Sequence, residues 1–132
     1  MFDALGISGT GMGVHQKWMD ALSDNIANVN TVRPTSESAF RARWVVAQSI
    51  EDGGTGQGVR VAGIELGSQA GRLVYSPDHP LADAKGYVRM PDIDMAEQMS
   101  DLILAQRGYQ MNIASLDRVR ASYQAAIQMG RG

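Results

Sequence analysis

His15 and His79 are the chain's only histidines, and they set the bounds on what chemistry the sequence could carry. His79 sits between Asp78 and Pro80, with Ser76 just upstream. Serine, aspartate and histidine are hydrolase ingredients, but such a site needs a further partner and an oxyanion hole, and neither can be placed. A turn residue that fixes loop geometry or lies exposed accounts for His79. His15 falls on a helical seam and reads as a packed or partner-facing side chain. The run Gly6-Ile7-Ser8-Gly9-Thr10-Gly11-Met12-Gly13 resembles a phosphate loop, yet that motif needs a preceding strand and a lysine in register. Only Met1 to Leu5 lie upstream, so the run reads as a loosely packed helix start. Asp92, Asp94 and Glu97 are acids at a helix start, where capping explains them better than metal binding. With no cysteine, disulfides, thiol catalysis and cysteine-ligated metals are excluded. The sequence reads as a non-enzyme without cofactor or metal.

Composition points to what the chain does instead. A formal charge of −2 argues against nucleic acid, whose binders displace counterions with a basic stripe; Arg33, Arg41 and Arg43 read as a solvated face. No run approaches the length of apolar sequence that spans a bilayer. The start MFDALGISGTGMG lacks a basic flank and a long apolar stretch and reads as no cleaved signal peptide. Only 6% of residues are aromatic while eight are methionine, which predicts adaptable packing and makes a self-sufficient core doubtful.

Two segments with a seven-residue apolar rhythm sit at opposite ends. Near the N-terminus Leu5, Ser8, Met12, His15, Met19, Leu22, Ile26 and Val29 step by threes and fours. Near the C-terminus the steps fall on Met95, Met99, Leu102, Gln106, Tyr109, Ile113, Leu116, Arg120, Tyr123 and Ile127. This repeat keeps one helix face toward a partner and predicts a mainly α chain whose long terminal helices pack as an antiparallel coiled coil. The first helix spans Phe2 to about Asn30, its glycine-rich first third frayed; the last spans Asp94 to Met129. Between them strands are predicted at Phe40–Gln48, Val59–Leu66, Arg72–Tyr75 and Tyr87–Met90. Glu51–Gly58 reads as a flexible loop and Pro77/Pro80 as a turn. Residues 1–31 and 91–132 thus form a terminal-helix unit around a small β-rich module, 32–90. Ser8, His15, Gln106 and Arg120 on the seams favour oligomeric packing over a stable monomer.

Three stretches carry a resemblance. Ser23-Asp24-Asn25-Ile26-Ala27-Asn28-Val29-Asn30-Thr31 closely resembles the signature that closes the first helix in the bacterial flagellar rod and hook family. Val74-Tyr75-Ser76-Pro77-Asp78-His79-Pro80, followed by Gly86-Tyr87-Val88 and Pro91, is similar to the turn motif of its proximal rod members. Arg107-Gly108-Tyr109-Gln110-Met111-Asn112 resembles the family's arginine-any-tyrosine-glutamine-alanine-asparagine run. The departures are Ser76 for aspartate, Asp92 and Asp117 for asparagine, Met111 for alanine, and a missing Gly-Gly-Pro-Tyr run near Ser36–Phe40.

The resemblance implies a structural subunit of the proximal rod of the flagellar basal body. It implies export as an unfolded chain through the flagellar type III apparatus without a cleaved signal. It implies helical assembly with copies of itself and neighbouring rod and basal-body proteins, with the terminal helices lining the axial tube, the β module outside, and torque passing through the interlocked helices. Nucleic acid and direct membrane insertion are not implied. Asn25, Ile26, Ala27, Asn28, Asn30 and Thr31 form the assembly motif, read either as a helix C-cap or as an inter-subunit dock. The turn motif comprises Tyr75, Pro77, His79, Pro80, Gly86 and Tyr87. The alternatives are a different rod subunit, which the Pro-Asp-His-Pro turn argues against, and a helical-hairpin adaptor or export chaperone, which should fold alone.

Overall fold

Helical periodicity at the two ends and alternation between them produce two long helices around four strands. The computed structural model describes residues 2–130: α1 Phe2–Asn28, β1 Arg43–Asp52, β2 Thr55–Leu66, β3 Arg72–Tyr75, β4 Tyr87–Met90 and α2 Met95–Met129. The helices lie antiparallel. Ser8 on α1 hydrogen-bonds Ser115 on α2, and Asn25 bonds Gln98 at the other end. Asp94 caps α2, its Oδ1 accepting from the Ala96 and Glu97 N–H groups at 2.8 and 3.3 Å. That satisfies donors the first turn cannot pair internally.

α1 buries the face its rhythm marks: Leu22 and Val29 are buried, and Met12, Met19 and Ile26 half-buried. The glycine-rich start is continuous helix from Phe2, not frayed, and Thr10 ties it to β2 by accepting the Val59 N–H at 3.1 Å. α2 turns a different face to α1 than its apolar rhythm marks. Gln98, Leu102, Ala105, Tyr109, Asn112, Leu116 and Val119 form the packed stripe, whereas Met95, Met99, Ile113, Tyr123 and Ile127 are exposed, as are Gln106 and Arg120. Seven of the ten expected seam positions, all but Leu102, Tyr109 and Leu116, are therefore exposed. The cause is size. Ala105 and Gly108 let the helices approach closely, Gln98 and Asn112 bring polar partners to the contact, and a reading weighted toward large apolar groups passes over them.

β1 and β2 form an antiparallel ribbon with register shifts at Val46/Ala47 and Ile50/Glu51. The expected loop Glu51–Gly58 is instead a tight turn, with strand on both sides. Gly53 and Gly54 carry φ of 56° and 84°, the paired positive values that a two-residue hairpin turn requires. The first strand accordingly runs Arg43–Asp52, later than expected. β3 and β4 pair antiparallel over the expected spans, and Arg33 adds a bridge to Arg89 with both backbone bonds at 2.8 Å. A small core of Val29, Ala42 and Ile93, with Phe40 against it, joins the end of α1 to the start of α2.

Candidate assembly interface

Asn25 is the junction at which three elements meet. It is fully buried; its Nδ2 donates to the Arg43 carbonyl at 3.0 Å and to Gln98 Oε1 at 2.8 Å, while its Oδ1 accepts the Arg43 N–H at 2.8 Å. One amide thus fixes the first residue of β1 and a buried glutamine of α2 onto α1. An asparagine is suited to this because it offers donors and an acceptor on one short arm. Outside the junction, Arg43 pairs with Asp24 at 2.8 Å, both about half exposed, a geometry that adds little stability.

The rest of the assembly motif divides by role. Asn28 Nδ2 donates to the Asp24 carbonyl at 2.9 Å and Asn28 Oδ1 accepts from Thr31 Oγ1 at 3.1 Å, which closes the helix locally. Ile26 is half-buried on the seam; Ala27 and Asn30 are exposed.

Farther along, the two helices exchange glycines. A Cβ added at Gly11 would lie 3.0 Å from Asn112 Nδ2, and one added at Gly108 would lie 2.6 Å from His15 Nε2. Each helix has a gap where the other has a polar side chain. Asn112 steadies its position by donating to the Gly108 carbonyl at 3.0 Å, and His15 stacks on Trp18 with centroids 6.1 Å apart. His15 is therefore a packed residue. The Arg107–Asn112 run owes its glycine and asparagine to this close approach.

The turn motif also converges. Tyr75 and Tyr87 face each other across β3 and β4, their rings edge-on at 5.3 Å. Gly86, at φ 81°, lies beneath them, with no room for a Cβ between the Tyr75 ring and Pro77. His79 Nδ1 accepts the Leu81 N–H at 3.1 Å, so it fixes the loop; Pro77 and Pro80 are exposed around it. Asp83 organises the same turn. Its carboxylate accepts from the N–H groups of Tyr87 and Lys85 and from Thr35 Oγ1. The Tyr87 N–H above all holds the Asp83 carboxyl below its usual value of 3.8, helped by the Lys85 N–H, the Thr35 hydroxyl and the Lys85 charge, against the raising effect of desolvation.

Sequence reasoning passed over Gln98, Asp83 and Arg89, and singled out Asn112 only as the end of the Arg107–Asn112 run. Arg89 reaches the carbonyls of Thr35 and Ala70 and thereby pins the 33–42 connection to the small sheet. A polar residue at a helical position that should be apolar was the available signal for Gln98 and Asn112.

What remains open is a face of α2. Met99, Ile103, Leu104 and Met111 are each at least half exposed, although only Glu97, Asp101 and Arg107 carry charge between Met95 and Leu116. An apolar surface of this kind, contiguous along a helix, marks an interaction site. No group of metal-ligating side chains occurs among the described residues, and none of their helices is long and apolar enough to cross a membrane.

Two family models match the segments that build this interface. One, described as flagella basal body rod protein, covers residues 6–35, and one described as flagellar basal body rod FlgEFG protein C-terminal covers residues 84–129. The flagellar basal-body rod protein FlgC of Borreliella burgdorferi is 31% identical, over 100% of this chain and 99% of its own length. Its counterpart in Salmonella typhimurium is 33% identical over 99% and 98%, and that of Bacillus subtilis 28% over 98% and 98%.

Proposed function

Because the chain belongs to the FlgC family of flagellar basal-body rod proteins and is a structural subunit of that rod, we propose that its helix pair is an axial element completed by neighbouring rod subunits. The observation that carries this reading is the uncovered apolar face of α2. Burying the exposed halves of Met99, Ile103, Leu104 and Met111 against neighbouring helices is worth on the order of 5 kcal/mol. In the assembled rod the heptad rhythm then serves two contacts. Positions 98, 105 and 112 face α1, and positions 99 and 113 face another subunit in coiled-coil fashion.

On this reading residues 1–31 and 91–132 form the axial unit and 32–90 the outer β module. The subunit works in the proximal rod of the basal body, carries torque by packing, surrounds the export channel, and performs no catalysis. It reaches its place through the flagellar type III apparatus as an unfolded chain without a cleaved signal, and its partners are copies of itself and adjacent rod and basal-body proteins. Coupled folding and assembly suits a chain whose longest helix has too little of its own to pack against.

Clean deletion of the coding sequence tests the reading. Motility is lost and structures stop short of the hook, because later subunits have no foundation. Swimming cells with complete hooks would overturn it.

A further inference from the structure

Sulfur is unevenly distributed over the fold. The chain has eight methionines and no cysteine, so thioethers are its only sulfur groups. Among the described residues Met12, Met19 and Met90 are half-buried, whereas Met95, Met99, Met111 and Met129 are exposed, and all four exposed ones lie on α2. Met99 is 54% exposed and Met111 73%, so the fold shields neither sulfur. Met99 stands in a row with Met95 and Ile103, one helical turn away on either side, and Met111 lies two turns beyond Leu104. No charged residue stands three or four positions from Met99, and only Arg107 does so from Met111. The two methionines thus supply much of the open apolar face of α2.

A thioether is an apolar group that a mild oxidant turns polar while the chain stays intact. We propose that Met99 and Met111 are oxidation sites through which a peroxide switches off this face in a subunit that has not yet packed. Hydrogen peroxide transfers one oxygen atom to the sulfur: the O–O bond breaks, an S–O bond forms, the sulfur gives up two electrons, and the other oxygen leaves as water. The sulfoxide oxygen is a hydrogen-bond acceptor, and it finds no donor in a contact made by Ile103 and Leu104. A dithiol reductant reverses the change, giving back the thioether with a disulfide and water. With no cysteine in the subunit, no thiol of its own consumes the oxidant first. Packing withdraws both sulfurs from solvent, so the switch acts on entry and spares structure already built. The inference rests on the rod reading and deepens it by naming what regulates the assembly face.

Hydrogen peroxide added to the purified full chain tests the sites. Peptide mass spectrometry finds the added oxygen at Met99 and Met111 on the order of tenfold sooner than at Met12 and Met19. Circular dichroism and melting temperature stay as they were, because neither exposed side chain holds the fold together. Methionine sulfoxide reductase with a dithiol removes the oxygen. Equal rates at all four positions, or unfolding as Met99 and Met111 react, overturns the assignment.

Competition within one cell tests the switch. The natural chain and a chain carrying Met99→Leu with Met111→Leu, swaps that conserve volume, are produced together, so general oxidant damage reaches both alike. Their ratio is read in isolated basal bodies with and without a peroxide pulse during rod growth. The pulse shifts that ratio about tenfold toward the leucine chain, the effect of 1.4 kcal/mol; a ratio that the pulse leaves unchanged overturns the switch. Met95 and Met129 persist in the leucine chain, so its protection assigns the effect to positions 99 and 111. Without oxidant, Met99→Gln with Met111→Gln imitates the polarity of the sulfoxide. That chain keeps its circular dichroism and enters rods poorly. Complete rods that admit it normally overturn the switch alone, whereas hooks assembled in the deletion strain overturn the rod reading itself.

Discussion

The imidazole of His15 lies across the backbone of Gly108, so close that a Cβ at position 108 would stand 2.6 Å from its Nε2 and 2.9 Å from its Nδ1. Trp18 stacks on the ring, and Nδ1 is buried without a hydrogen-bond partner among the described residues, so the ring has no easy retreat. Gly108→Ala therefore separates the helices despite alanine's higher helix propensity. The expected loss is about 1–3 kcal/mol in denaturant unfolding of the purified chain. Gly6→Ala and Gly13→Ala, where nothing lies within 4 Å of the added atom, raise stability by up to about 1 kcal/mol. Equal effects at all three positions would refute the close approach.

Asn25→Ala strands the N–H and carbonyl of Arg43 and the amide of Gln98 in a buried junction. Unsatisfied buried groups cost more than the bonds they lose, and the expected destabilisation is about 2–4 kcal/mol. Asn30→Ala, at an exposed position of the same motif, changes stability by less than about 0.5 kcal/mol. Chemical denaturation of both variants checks the contrast; similar losses would return the motif to a purely local cap.

Asp83 makes the β3–β4 turn sensitive to acid. Its folded pKa is depressed below 3.8 by the Tyr87 N–H and the other donors around it. The carboxylate thus stabilises the fold at pH above the unfolded value, and the contribution disappears as pH falls through the lower folded value. The gap in melting temperature between the natural chain and Asp83→Asn narrows as pH drops from about 5 to about 2. A gap that is constant across that range would show that the charge is not what the turn uses.

Ile113 and Leu116 separate folding from assembly. Ile113 is 38% exposed on the outer side of α2, and Leu116 lies within the stripe that faces α1. Ile113→Asp leaves the circular dichroism of the purified chain unchanged, yet it places an unpaired charge in the contact proposed for a neighbouring subunit, at a cost of several kcal/mol. It is exported and excluded from the rod. Leu116→Asp lowers helicity as well. Ser100→Asp and Gln124→Glu, on exposed positions, serve as controls; rods that incorporate Ile113→Asp normally would place that face on the outside of the shaft.

Much of this architecture is legible from residue spacing alone. β3 and β4 begin and end where alternation and the flanking turn residues place them, and Asp94 caps α2 as its position before the apolar rhythm requires. Tyr75 and Tyr87 meet because their strands pair in register. The failures share a cause. Gly53 and Gly54 looked like slack, but two positive φ angles in succession make a sharp reversal, and strands extend to both sides of it. The stripe at Gln98, Ala105 and Asn112 was hidden because close helix contact selects for small size and for a polar partner, while apolar periodicity reports bulk. Gly11 and Gly108 looked like weak points in helices and are sites of contact. Pairings of this kind depend on what the other helix brings to the position, information that no window along one segment contains.

The bond between Asn25 and Gln98 joins residues 73 positions apart, and the junction of α1, β1 and α2 is complete only with that bond. On the export route proposed above, a chain released from its N-terminus would free α1 and the ribbon before Gln98 appears. Until then the junction has an empty seat, and contacts of such long range form late. On that route the subunit carries its own delay: the junction that joins α1, β1 and α2 closes only when its final helix arrives.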